Sequence, residues 1–91
     1  MTYDEILNSA INTFGIDHQY NLAIEEASEL IKALCKYRRY QNNVEDVLEE
    51  IADMQIMLDQ LRIIFNDSAK DAQEKKIQRL AGLLRVNKQL L

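Results

Sequence analysis

Glu25-Glu26-Ala27-Ser28-Glu29 and Glu49-Glu50-Ile51-Ala52-Asp53 set acids at i and i+3 twice in a chain of 91 residues. Residues three apart are neighbours on a helix surface, so Glu26 with Glu29, and Glu50 with Asp53, each form a local oxygen-rich pair. Projected at about 100° per residue, Glu26 falls about 40° from Leu22, inside an apolar arc running from Leu22 and Ala33 through Leu30 and Ala23 to Ile31. Glu29 sits on the margin of that arc, at about 340°. With Val44 as origin for the next helix, Glu50 lies at about 240°, between Met57 and Leu61, and Asp53 at the arc's edge near 180°. A lone carboxylate is expensive to bury and either shifts its pKa or meets a positive partner. One such acid is most simply a helix rim or half of an ion pair. Two matched pairs on adjacent antiparallel helices instead form a cluster that repels itself unless a multivalent cation neutralises it. All-oxygen donors select a hard ion, Mg²⁺ above all where phosphates complete the coordination. A di-iron carboxylate bundle would need Glu-x-x-His motifs, but Gly15 stands three residues before His18, the one histidine.

Helices must carry these acids. Thr2-Tyr3-Asp4-Glu5 fits a capping box, and Ile6, Leu7, Ala10, Ile11 and Phe14 follow at one-face helical spacing. Gly15 is the expected stop. Asp17 is expected to cap a second helix reaching about Tyr40, whose closing Lys36, Arg38 and Arg39 suit a helix C-terminus. Gln41-Asn42-Asn43 breaks the pattern, and Asn43 with Asp46 restarts a helix to about Phe65. Asn66-Asp67-Ser68 breaks again and caps a fourth helix, with Ile77, Leu80, Ala81 and Leu84 on one stripe. Gly82 weakens that helix by ~1 kcal/mol relative to Ala. No strand pattern or internal repeat competes. The expectation is one all-α domain over residues 1–91, a four-helix bundle-like protomer with short loops and antiparallel neighbours.

The third helix has a second apolar strip, Leu48, Ala52, Ile56 and Ile63, at about 40° to 120°. A helix apolar on two faces is either central in its bundle or packed against another subunit. A chain this short buries only ~60–65% of its unfolded surface, so association with further copies is expected.

Composition narrows the functional classes. Apolar residues make up 47% and charged residues 29%, with no Pro and two Gly, which describes a globular chain without linkers. The net charge of −4 argues against a nucleic-acid polymer as partner, since phosphate contacts need a clustered basic footprint. No apolar run approaches the ~20 residues that span a bilayer, and the start is acidic where a signal peptide would be basic. Cys35 is the single cysteine, so no internal disulfide forms, which fits a reducing cytoplasm. With one His and one Cys the chain cannot complete a structural zinc site. Cys35 reads as a small buried hydrophobe, Met54 and Met57 as core filler, and Tyr37 and Tyr40 as core or rim aromatics.

The doubled acid pair on apolar arcs resembles the EExxE…ExxD signature of the all-α NTP pyrophosphohydrolases, the MazG-like superfamily, which includes the dimeric dUTPases and phosphoribosyl-ATP pyrophosphohydrolase. The resemblance covers most of residues 17–84. It implies that Glu26, Glu29, Glu50 and Asp53 coordinate Mg²⁺, with Mn²⁺ as a substitute, and that water attacks the α-phosphorus of a nucleoside triphosphate to release pyrophosphate and a nucleoside monophosphate. One of the four acids would be the general base, unassigned among them. The resemblance also implies that the expected association is a homodimer or homotetramer. Lys75, Lys76 and Arg79 are the basic residues the resemblance points to for the triphosphate, with a solvated basic face as the plain alternative. His18, Gln19 and Asn21 precede the first acid pair, where such proteins contact the nucleotide; a surface or capping role is the plain alternative for His18. Lys32 and Lys36 are expected to pair with Glu29 and neighbouring acids of their own helix. Base stacking, in the absence of Trp, would fall to Tyr20 or Tyr37. Two other readings compete: phosphoribosyl-ATP as substrate, and a non-catalytic helical oligomer that keeps the acids as a metal site.

Overall fold

In a computed structural model that describes residues 1–66 and 69–90, helices α1 (Tyr3–Phe14), α2 (Ile16–Tyr40), α3 (Val44–Ile64) and α4 (Ala69–Leu90) follow one another without strands among the described residues. Their ends have local causes. Thr2 Oγ1 accepts the Glu5 amide at 3.1 Å, the N-cap half of the expected box. Gly15, at φ 93°, ends α1 and also serves as the cap of α2. Asp17 therefore lies inside the first turn of α2 rather than capping it: a single left-handed glycine reverses the chain and leaves no room for a separate cap. Gln41, at φ 53°, ends α2 by returning its amide to the Tyr37 carbonyl at 2.8 Å. The Asp67 and Ser68 expected before α4 lie outside the described residues. Gly82 sits within an unbroken α4.

The two long helices, α2 and α3, make the principal packed pair, and α1 lies against both. The cross-helix contacts descend α3 as they ascend α2. Gln19 meets Gln60, Glu26 is close enough to Asp53 and Glu50 to feel their charge, and Asn43 reaches the Ala33 carbonyl. The pair is therefore antiparallel. Leu7 and Ile11 of α1, Ala23 and Ala33 of α2 and Met57 of α3 form the buried apolar core. The small alanines let the two long helices approach along this line.

A polar network crosses the seam at one end. Gln19 is 1% exposed, and its Nε2 donates to Gln60 Oε1 at 2.7 Å. Gln60 Nε2 donates to Met57 Sδ at 3.6 Å, and His18 Nδ1 lies 2.8 Å from Gln19 Oε1. Tyr20 stacks on Phe65 alongside, with ring centroids 6.0 Å apart. A buried polar pair of this kind fixes register, because sliding either helix orphans a donor or an acceptor. On the outside, the Tyr3 hydroxyl donates to Asp59 Oδ2 at 2.6 Å and ties α1 to α3.

The fourth helix adds little packing within the chain. Arg62 Nη2 donates to Gln73 Oε1 at 2.8 Å across the α3–α4 connection. Ile77, Leu80 and Leu84, the expected apolar stripe, are nonetheless exposed, so four helices do not close into a bundle core inside one chain. Cys35 is exposed as well, which corrects the expectation that it is buried. At about 220° on the α2 projection it falls beyond the end of the apolar arc. Tyr40 is exposed too, whereas Met57 is buried as expected. Among the described residues no helix is long and apolar enough to cross a membrane.

Two stability outcomes follow from these contacts. Gln19→Ala leaves the buried Gln60 amide without its partner and should cost about 1–3 kcal/mol in chemical denaturation. The double variant Gln19→Leu/Gln60→Met should recover most of that loss, and additive losses in the double variant would refute the pairing. The hydrogen bond to Asp59 raises the Tyr3 pKa above its usual 10.0, so the folded state holds that proton more tightly than the unfolded one. The stabilisation is complete below pH 10 and is lost as pH rises through the raised value. Tyr3→Phe should lower the thermal midpoint at neutral pH and flatten its alkaline decline.

Candidate metal centre

One residue of α2 and two from successive turns of α3 build the cluster. Glu26 lies between the buried Ala23 and Ala33 on the packed face of α2. Glu50 lies on the α3 face that continues to the buried Met57 and Gln60. Both carboxyls are half-buried, and Asp53 stands at the exposed rim. One oxygen from each of Glu26, Glu50 and Asp53 lies within 4.8 Å of the others. Glu29 is outside this trio but near enough for its charge to act on Glu50. Three of the four expected ligands therefore converge.

The electrostatics match the geometry. Burial, then the charges of Asp53, Glu50 and Glu25, raise the pKa of Glu26, and hydrogen bonding with Asp53 adds to the effect. Burial also raises Glu50, followed by the charges of Asp53, Glu29, Glu49 and Asp46. No positive group appears among these causes. Glu50 Oε2 is buried without a hydrogen-bond partner. A buried carboxylate oxygen that is unpaired and surrounded by like charge needs a cation or a proton. Three clustered carboxylates are the donor set of a hard divalent ion, so these residues fit Mg²⁺ or Mn²⁺.

Other expected contacts fall elsewhere. His18 is exposed on the first turn of α2, hydrogen-bonded to Gln19 and 5.7 Å by ring centroid from Phe14. Lys75, Lys76 and Arg79 are exposed on α4, the helix that packs least on the pair bearing the acids. Tyr20 is engaged with Phe65. The expected pairing of Lys32 and Lys36 with acids of their helix is corrected. Among the described residues neither forms an ion pair. Lys36 has Lys32, Ala33, Arg39 and Tyr40 at its i±3 and i±4 positions, with no acid in helical reach.

Sequence reading missed Asn43 and Asp46. Asn43 reads as an N-cap, yet its side chain makes no capping bond. Its Nδ2 donates instead to the Ala33 carbonyl at 3.2 Å, while its Oδ1 is buried without a partner. Asp46 lies one turn before Glu50 on the same face, a spacing readable in the sequence, and lines a recess with Glu29 and Glu50. Comparison of the chain with protein-family models, curated proteins and solved structures matches none of them.

Without divalent metal, Glu50→Gln should raise the thermal midpoint at neutral pH, because it removes a charge disfavoured in the folded state. The wild-type midpoint should climb with added Mg²⁺ or Mn²⁺, by mass action on the folded state, and the variant should respond less. A Glu50→Gln variant destabilised in EDTA would show that the carboxylate is a paired structural group.

Proposed function

We propose that this chain is a MazG-like, divalent-cation-dependent nucleoside triphosphate pyrophosphohydrolase. The observation that carries the reading is the convergence of Glu26, Glu50 and Asp53 from two antiparallel helices, with oxygens within 4.8 Å and a buried, unpartnered Glu50 Oε2. The spacing of the acid pairs supports it independently.

In this reading Glu26, Glu50 and Asp53 hold the cation, and Glu29 flanks it. When bound, the ion offsets charge on phosphate oxygens and lowers the pKa of a water nucleophile. Burial and neighbouring carboxylates disfavour the ionised forms of Glu26 and Glu50, so a bound cation would relieve their mutual repulsion. One of the four acids serves as general base for the attacking water. The product pair is pyrophosphate and a nucleoside monophosphate.

The reading includes a homo-oligomer, dimer or tetramer. The radius of gyration is 16.8 Å, against about 12 Å for a compact globule of this length. The accessible surface is 7547 Å², against about 5,500 Å² for a folded monomer of this mass. That excess, about 2,000 Å², is more than twice the roughly 800 Å² that each partner buries in a standard interface. Leu48 and Ile56 of the second α3 strip are 59% and 41% exposed, and they supply an apolar face for a second copy.

Pyrophosphate release from ribo- and deoxynucleoside triphosphates, with Mg²⁺ and with EDTA, tests the activity. Release should require the cation, and Glu50→Gln should lower kcat/KM by at least about 100-fold, the scale of losing one strong electrostatic contact. Silence across the panel, with a Mg²⁺-dependent thermal shift retained, would favour a non-catalytic metal-binding oligomer. Activity confined to phosphoribosyl-ATP would move the substrate within the same superfamily. Light scattering should give at least twice the 10.6 kDa chain mass, and Ile56→Glu should reduce it; a monomer at all concentrations would refute the assembly.

A further inference from the structure

Glu50 faces two ways. It belongs to the trio with Glu26 and Asp53, and it also lines a recess of about 180 Å³ with Glu29, Lys32, Lys36, Asn43 and Asp46. Lys32 and Lys36 continue into an adjoining recess of about 270 Å³ that reaches Arg39 and Tyr40. The cations Lys32, Lys36 and Arg39 thus form a ridge one helical turn apart along α2, starting beside the acid cluster. Like charges at i and i+4 on a helix are mutually destabilising, and among the described residues neither lysine has an ion-pair partner.

The first recess is short of ligands of both signs. Glu50 Oε2 and Asn43 Oδ1 are buried acceptors without donors, and Asn43 is only 7% exposed. Lys32 and Lys36, which line the same recess, have no ion-pair partner among the described residues. A free anion would meet Glu29, Asp46 and Glu50, and a free cation would meet the lysines. A polyphosphate chelating a divalent cation offers both signs together, with the cation toward the carboxylates and the phosphate oxygens toward the ammonium groups.

We propose that the Lys32–Lys36 recess is the subsite for the terminal phosphates of a cation-chelated polyphosphate, running from the acid cluster toward the C-terminal end of α2. The proposal deepens the hydrolase reading and rests on it for the identity of the nucleotide, but not for the anion site itself. It sets the polarity of the substrate, with the phosphate tail over the α2–α3 turn and the nucleoside toward the Gln19–Gln60 end.

Titration calorimetry of the full chain with inorganic tripolyphosphate, in Mg²⁺ and in EDTA, tests it. Lys32→Met/Lys36→Met should weaken Mg²⁺-tripolyphosphate binding at least tenfold, while binding of Mg²⁺ alone stays within about twofold. Lys32→Arg/Lys36→Arg should restore most of the affinity, and EDTA should abolish it. The proposal falls if the methionine variant binds like the wild type, if the wild type does not bind, or if the loss appears instead in Lys75→Met/Lys76→Met. The two readings fail separately. Nucleotide hydrolysis with lysine-independent tripolyphosphate binding removes the subsite and keeps the enzyme. Lysine-dependent binding without hydrolysis keeps the subsite and removes the enzyme.

Discussion

Like charge held along an apolar seam is the constraint on which the rest of this molecule turns. The α2–α3 pair is close-packed because Ala23 and Ala33 present little bulk, and Met57 fills the gap between the helices. The same closeness forces Glu26, Glu50 and Asp53 together. Three carboxylates at that separation cannot all be ionised without cost. Folding therefore holds like charge together along the seam, and the Gln19–Gln60 bridge and the Asn43–Ala33 bond on either side keep the helices from sliding out of that register.

The arrangement has a polarity along its length. Toward the start of α2 the seam is neutral and satisfied, with Gln19, Gln60, His18 and the Tyr20–Phe65 stack all engaged. Toward the α2–α3 turn it is charged, with orphaned acceptors at Asn43 and Glu50 and, beside them, lysines that form no ion pair among the described residues. The orphaned acceptors are thus concentrated at one end of the seam. The exposed apolar stripes of α3 and α4 make a second kind of unmet demand, which hydrophobic burial against another copy would satisfy.

Much of the candidate site was legible because helical projection is a strong constraint. The positions of Glu26 and Glu50 inside apolar arcs follow from spacing alone, and so do the helix breaks at Gly15 and at Gln41–Asn43. Neutral polar residues gave no such warning. Nothing in the spacing of Gln19 and Gln60 shows that each is buried against the other. Asn43 has the chemistry of an N-cap, and only the neighbouring helix supplies the Ala33 carbonyl that claims its amide. Lys36 has no acid in helical reach, whereas Lys32 has Glu29 at i−3 and, among the described residues, still makes no ion pair with it.

The sequence by itself determined the all-α class, the helix boundaries to within a residue or two and the anomalous acids, because these depend on local propensity and on the period of one helix. Tertiary structure alone decided which acids meet. The antiparallel register brought Asp53 into the trio and left Glu29 outside it, since convergence depends on the relative rotation of two helices, which neither helix encodes separately. It also decided that Cys35 and the α4 stripe stay exposed, because an apolar face becomes core only when another surface is placed against it.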